Sequence, residues 1–281
     1  MRYLIECSYK GTEFHGWQKQ PNAASVQESI EKALSMVLKQ SVDIVGSSRT
    51  DTGVHAEQQF AHFDIDSPIL STVKLAHSLN GILPKGIAIK QILAVKDNFH
   101  SRFDATHRRY LYRISPTKNP FWSELSYYFH SNLDVEKMNL AGEILKKYND
   151  FQCFSKVNTD VMTFNCKIEV ALWEYHGDFL LFHIKADRFL RGMVRAIVGT
   201  MIEVGAGRLS LSDFENIILS KNRGKAGRAV PAEGLTLMEV GYESMSETNH
   251  LMQSENNQKR IDEALQEMAS GGFLTNSLIE E

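Results

Sequence analysis

Val45-Gly46-Ser47-Ser48-Arg49-Thr50-Asp51-Thr52-Gly53-Val54-His55-Ala56 is the stretch on which the fold reading turns. A mostly apolar run, residues 42–45, leads into it, and an alternating run, residues 58–65, leads out. A polar, glycine-bearing segment between two such flanks predicts a tight turn between strands. A turn of this kind presents a short acid at a rigid, defined point. Arg49, two residues before Asp51, is placed to keep that acid ionised, because a nearby opposite charge lowers a carboxylate pKa. Gly53 takes backbone angles closed to other residues. Taken alone, Arg-Thr-Asp-x-Gly reads equally well as a strand turn capped by an Asx-type bond from Asp51.

Working outward, residues 2–9 read as a strand and Ser25 with Glu28 as a capping box. Val26, Ile30, Ala33, Leu34, Val37 and Leu38 then keep helical spacing. After the two strands around Asp51, residues 68–80 predict a helix and residues 86–95 a strand. A second half repeats the order. Residues 109–115 read as a strand, 127–130 as a strand in an insertion, and 134–148 as a helix. Residues 167–175 and 179–186 form a hairpin across His176-Gly177-Asp178. Residues 188–204 read as one helix, Ser212 with Glu215 opens another that ends near Lys221, and 236–242 closes as a strand.

Strand-helix-strand-strand-helix-strand, twice, predicts an α+β chain of two ferredoxin-like units with antiparallel sheets. The expected division is an N-terminal α+β domain over 1–105 carrying the Asp loop, a C-terminal α+β domain over 106–243, and an acidic tail over 244–281. The tail is weakly ordered by composition, with one short helix at 257–269.

Composition bounds the function classes. The 281 residues, 43% hydrophobic, suffice for one large domain or two small ones. No run of eighteen apolar residues exists, so no membrane span is expected, and residues 1–7 read as strand rather than leader. Three widely spaced cysteines, Cys7, Cys153 and Cys166, argue for a reducing cytoplasm and against a disulfide framework. The net charge is −3, yet residues 243–281 carry eight acids against two bases, which leaves +3 for residues 1–242. A nucleic-acid site in that body would have to come from clustering of charge rather than from its total. His55, His62 and His100 lack metal-ligand spacing, and no Walker or dinucleotide glycine pattern occurs, so neither a metal nor a cofactor is expected.

Residues 49–56 resemble the catalytic loop of the bacterial tRNA pseudouridine synthase A family, whose single essential aspartate falls on Asp51. Further stretches resemble the same family in order. They are Tyr9-Lys10-Gly11-Thr12-Glu13-Phe14-His15-Gly16-Trp17-Gln18-Lys19-Gln20, Ser25-Val26-Gln27-Glu28, Phe99-His100-Ser101-Arg102-Phe103 and Arg109-Tyr110-Leu111-Tyr112. Asp150-Phe151, residues 191–199 and Glu233-Gly234-Leu235-Thr236-Leu237 follow. The resemblance covers roughly residues 1–242 and departs at Lys10, Ser48 and Thr52, where the family usually has Asp, Gly and often Ala. It implies that the two sheets join edge to edge around a central RNA-binding cleft, and that the protein is a homodimer.

The resemblance also assigns roles. Arg195 falls on the family's active-site arginine. On helical spacing it shares a face with Arg191 and Arg188, which reads otherwise as a solvated basic stripe. In the combined reading Arg195 pairs with Asp51 while Arg188 and Arg191 contact phosphates. Tyr110 falls on the residue that stacks on a flipped base, although Tyr110 and Tyr112 share a strand face and read equally as core. Leu235 would wall the uracil pocket; on spacing alone it is a strand residue. Arg49, Arg108, Arg109, Lys225 and Arg228 complete the substrate-binding set, the last two on a basic, glycine-bearing loop over 221–228 that reads as well as a solvated loop. Phe14, His15 and Trp17 lie in a glycine-flanked loop within reach of RNA, with Trp17 equally suited to packing. The implied activity is isomerisation of uridine to pseudouridine at positions 38, 39 and 40 of the tRNA anticodon stem-loop, without cofactor. The rivals are the same chemistry on another RNA, a non-catalytic RNA-binding protein, and a hydrolase using Asp51 with His55.

Overall fold

Residues 1–157 and 162–243 are described by the structure, a computed structural model. The expected tail helix at 257–269 lies outside them. In the first half, β1 (Arg2–Tyr9) is followed by α1 (Val26–Leu38), a two-residue β2 (Val45–Gly46) and a long β3 (His55–Asp64). Then come α2 (Thr72–Ile82) and β4 (Ile87–Val95). In the second half, β5 (Ala105–Ser115) and the short β6 (Tyr127–Tyr128) precede α3 (Val135–Leu145). The hairpin β7 (Ile168–His176) and β8 (Phe179–Ala186) leads to α4 (Met193–Gly205), α5 (Leu211–Ser220) and β9 (Leu235–Tyr242).

Among the described residues, nine strands form one mostly antiparallel sheet, ordered β4-β1-β3-β9-β5-β8-β7, with β2 added on β3 and β6 on β5. The two halves meet where β3 and β9 run parallel over only two residue pairs, His55↔Thr236 and Ala56↔Leu237. Parallel strands bring like ends together. The turn before β3 and the start of β9 therefore lie at one end of the seam.

Burial along the strands places the core. Tyr3, Ile5, Cys7 and Tyr9 of β1 and Tyr110, Tyr112 and Ile114 of β5 are buried, as are Phe182 and Ile184 of β8. Nearly every side chain of α4 is buried too, so it reads as a core helix rather than an amphipathic one.

Several boundaries differ from the sequence reading. Ser25 caps α1 by accepting from Glu28 N, but the Glu28 carboxylate turns to Lys32 at 2.7 Å, so the box is only half formed. The capping box of α5 is Ser210 with Asp213, two residues earlier than expected, and both of its bonds are present. The helix expected over 188–204 begins at Met193. Gly192 precedes it at φ 71°, in the left-handed region, and a left-handed residue cannot continue a right-handed helix. Arg188 and Arg191 therefore lie in the lead-in and not on a common helix face with Arg195.

Candidate active site

The Asp51 turn is gripped from two sides. Its own closure is local, because Val54 N donates to Asp51 O at 3.1 Å and Gly53 sits at φ 81°, as the third position of a type II turn requires. The loop after β1 holds its outer side. Tyr9 Oη and Thr50 Oγ1 are 2.7 Å apart, and Trp17 N donates to Thr50 O at 3.1 Å. Gly11 and Gly16 let that loop come so near. A Cβ on Gly11 would stand 2.0 Å from Val54 O, and one on Gly16 would stand 2.7 Å from Thr50 O.

The other side is held through His55. Gly11 N donates to His55 Nδ1 at 3.0 Å, and His55 Nε2 donates to Glu233 O at 3.1 Å. Those partners assign the neutral tautomer with its proton on Nε2. Burial lowers the His55 pKa and favours the same form. With both ring nitrogens engaged by main chain, His55 is a brace of the turn, which removes the basis of the hydrolase reading.

The Asp51 carboxylate, 27% exposed, faces two guanidinium groups. Arg195 Nη1 is 3.7 Å from Oδ2 and Arg191 Nε is 3.7 Å from Oδ1. Both are ion-pair distances, longer than a hydrogen bond. Unit charges about 4 Å apart interact by roughly 4 kcal/mol at an effective dielectric of about 20, before desolvation. Exposed pairs keep only about 0–1 kcal/mol of that. Arg195, at 23% exposed, is the stronger partner, and Arg191, at 60%, is the weaker. Arg195 is also anchored, donating from Nε to Val230 O at 2.7 Å and accepting Val230 N on its own carbonyl at 3.2 Å. Gly199 and Gly227 allow this crossing of segment 227–230 over α4, since a Cβ on Gly199 would meet Arg228 O at 1.8 Å. Arg49, read from sequence as the ion partner, is exposed and makes neither of these pairs.

Apolar walls stand beside the acid. Tyr110 is buried, with its ring edge-on to Phe189 at 5.2 Å between centroids. Burial pushes its phenol up to about 12, and the nearby Asp51 charge adds to that. Ser48, one of the departures from the family pattern, lies near the Tyr110 phenol and opposes that rise. Leu235 is buried at the start of β9, and Tyr112 Oη donates to Pro231 O at 2.8 Å just behind it.

The remaining expected residues scatter. Arg108 is buried, where a phosphate contact was expected at the surface. Its Nη1 donates to Ala105 O and Asp187 O, and its Nη2 to Ser47 O and Arg102 O. Arg109 lies one residue along on the opposite strand face and pairs with Glu239 at 2.9 Å, which also takes His107. Arg188 is half-buried. Lys225 and Arg228 are exposed on the rim of a cavity of about 600 Å³ lined also by Tyr127, Phe129 and Arg208. Phe14 and Trp17 are core, while His15 is exposed. Gly11 and Gly16, legible in the sequence only as the glycines flanking the loop of Phe14 and His15, are what bring it against the Asp51 turn.

The tRNA pseudouridine synthase family profile matches residues 7–104 and 148–243. A protein of Parabacteroides distasonis named tRNA pseudouridine synthase A is 51% identical over 241 residues, covering 86% of this chain and 96% of its own. Its namesake in Bacteroides fragilis is 48% identical over 242 residues, covering 86% of this chain and 96% of its own. The Bacillus licheniformis protein of the same name is 39% identical over 249 residues, covering 87% and 100%.

Proposed function

This chain belongs to the tRNA pseudouridine synthase family, and on that premise we propose that it isomerises uridine to pseudouridine in tRNA. Our reading places the targets at positions 38, 39 and 40 of the anticodon stem-loop and the protein in the cytoplasm as a homodimer without cofactor. It takes the two halves, 1–105 and 106–243, as two ferredoxin-like domains that enclose the RNA cleft at the β3–β9 seam. The strand orders β4-β1-β3-β2 and β9-β5-β8-β7 support that division.

The reaction breaks the bond from uracil N1 to ribose C1′, turns the base, joins C5 to C1′ and releases the C5 proton. Asp51 serves it in either of two ways, by attacking C1′ or by removing a ribose proton. Both place the carboxylate against the ribose, with Arg195 and Arg191 each 3.7 Å from its oxygens. Tyr110, kept neutral by burial, offers a ring edge and a phenol donor to the base. The C5 proton therefore needs another acceptor, and Asp51, free again once C5 has bonded to C1′, is the carboxylate at hand. Leu235 walls the uracil.

The observation that carries this reading is a partly exposed carboxylate held on a gripped turn, 3.7 Å from two arginines and beside a buried tyrosine. Unmodified tRNA transcripts tritiated at uridine C5 provide the test. Release of tritium to water, with pseudouridine mapping to positions 38–40, is expected. Retained tritium on bound tRNA would overturn the reading, and release mapping elsewhere would move it to another RNA region.

A further inference from the structure

Arg108 gathers more than its own strand. Its guanidinium donates to Ser47 O at 3.1 Å, Arg102 O at 2.7 Å, Asp187 O at 3.0 Å and Ala105 O at 3.0 Å. Three separate segments thus converge on one buried cation, and each brings an arginine with it. Arg102 is itself a partner, Arg49 lies two residues after Ser47, and Arg188 follows Asp187. Arg49 and Arg102 are exposed and Arg188 half-buried. None of the three forms an ion pair among the described residues. They feel one another, because the Arg102 pKa is lowered first by burial and then by the charges of Arg49 and Arg188. Like charges held together without a counter-charge repel, and an anion brought among them relieves that repulsion.

Phe103 stands next to this cluster and is 74% exposed. Its ring lies 4.2 Å from that of His100, and the Arg102 guanidinium is 5.9 Å from its centroid. The turn carrying it is stiff. His100 Nδ1 accepts from Arg102 N and Phe103 N, at 3.2 and 3.3 Å, and His100 N donates to Asp104 Oδ2 at 2.8 Å. Ser101 Oγ donates to Val45 O at 2.6 Å, which fastens the turn to β2, the strand leading to Asp51. A bare aromatic face on a rigid turn beside unneutralised arginines is the combination that single-stranded nucleic acid uses, base on ring and phosphate on cation.

We propose that Arg49, Arg102, Arg188 and Phe103 form a nucleotide subsite beside the Asp51 site, taking an RNA phosphate on the arginines and an unpaired base on Phe103. Arg49 is two residues from Asp51, a chain span of at most about 7 Å, so the nucleotide held here neighbours the one under attack. Arg108 acts as a positioning residue that sets the spacing of the three cations. This inference rests on the tRNA-modifying reading of the Asp51 site.

Binding of fluorescently labelled, unmodified tRNA transcript to the full chain tests it across a range of salt. Arg102→Gln is expected to weaken binding about tenfold and to flatten the slope of log K against log salt by about one, since one fewer phosphate is neutralised. Arg102→Lys should keep the slope. Phe103→Ala should weaken binding about tenfold with the slope unchanged, and Phe103→Trp should restore it. Wild-type affinity and slope in both Arg102→Gln and Phe103→Ala, with unaltered melting curves, would overturn the subsite. So would a change of oligomeric state in Phe103→Ala at unchanged affinity, which would assign the ring to contact between copies. Tritium release by the wild-type protein is measured alongside. Release with unaltered binding in the variants sinks the subsite alone. Weakened binding in the variants without wild-type release sinks the isomerase reading and leaves an RNA subsite standing.

Discussion

The two segments that supply the site's opposite charges are built differently. The acid's turn, Thr50 to His55, is braced by Tyr9, Gly11, Trp17 and Glu233, and two glycines bring a neighbouring loop into direct contact with it. The cation segment, Arg188 to Arg195, has its backbone tied along its length but holds its guanidinium groups most firmly at its far end. There Arg195 is tied to Val230, while Arg191 is 60% exposed and held through its carbonyl by Lys156 N. The two arginines stand 3.7 Å from the carboxylate, just outside hydrogen-bond range. A site arranged this way fixes the reacting group and leaves one of its counter-charges free to follow a substrate.

Removing the fixed charge is the strongest test of that contrast. Asp51→Asn keeps the shape and loses the carboxylate, so turnover should fall by at least about a thousandfold while tRNA binding stays within a few-fold. Measurable turnover in a C5-tritium assay would deny the acid its role. Arg195→Gln removes the anchored cation and should cost about a hundredfold to a thousandfold in single-turnover rate. Gly11→Ala probes the grip itself. The added carbon, built 2.0 Å from Val54 O, should cost about 2–3 kcal/mol in a denaturant melt and about tenfold in rate by shifting the acid. A variant with wild-type stability and rate would show that the turn needs no such brace. Arg191→Ala addresses the yielding side. It should weaken tRNA binding about fivefold and flatten its salt slope by about one. Unchanged affinity and slope would reassign Arg191 to the solvated surface. Deleting residues 245–281 should leave rate and binding within about twofold, and a large loss would bring the tail into the site.

The firm half of this comparison was legible in the sequence and the loose half was not. An acid, a glycine and two flanking strands are local signals, and Asp51 sits where they place it. The segment before α4 misleads because Phe189 and Leu190 extend the helical spacing of apolar residues backwards. Periodicity alone does not distinguish a packed lead-in from a helix turn. Gly192 was the signal that outweighed it. Arg108 misleads for another reason. Its partners, the carbonyls of Ser47, Arg102 and Asp187, come from segments far apart in the chain, and strand spacing carries no trace of them. Phe103 was visible only as part of a motif, because exposure of a single aromatic is settled by long-range packing. Ser210 and Asp213 win the start of α5 from Ser212 and Glu215, which offer the same capping pattern two residues later.

The seam between β3 and β9 also has a meaning in time. Asp51 lies in the first fifth of the chain, whereas Arg195 and the strand that pairs with His55 and Ala56 lie toward the other end. A ribosome making about 5–20 residues per second exposes the acid many seconds before its partners. During that interval the carboxylate lacks Arg191, Arg195 and the Leu235 wall. The strand pairing that completes the site, His55 with Thr236 and Ala56 with Leu237, therefore forms only near the end of synthesis.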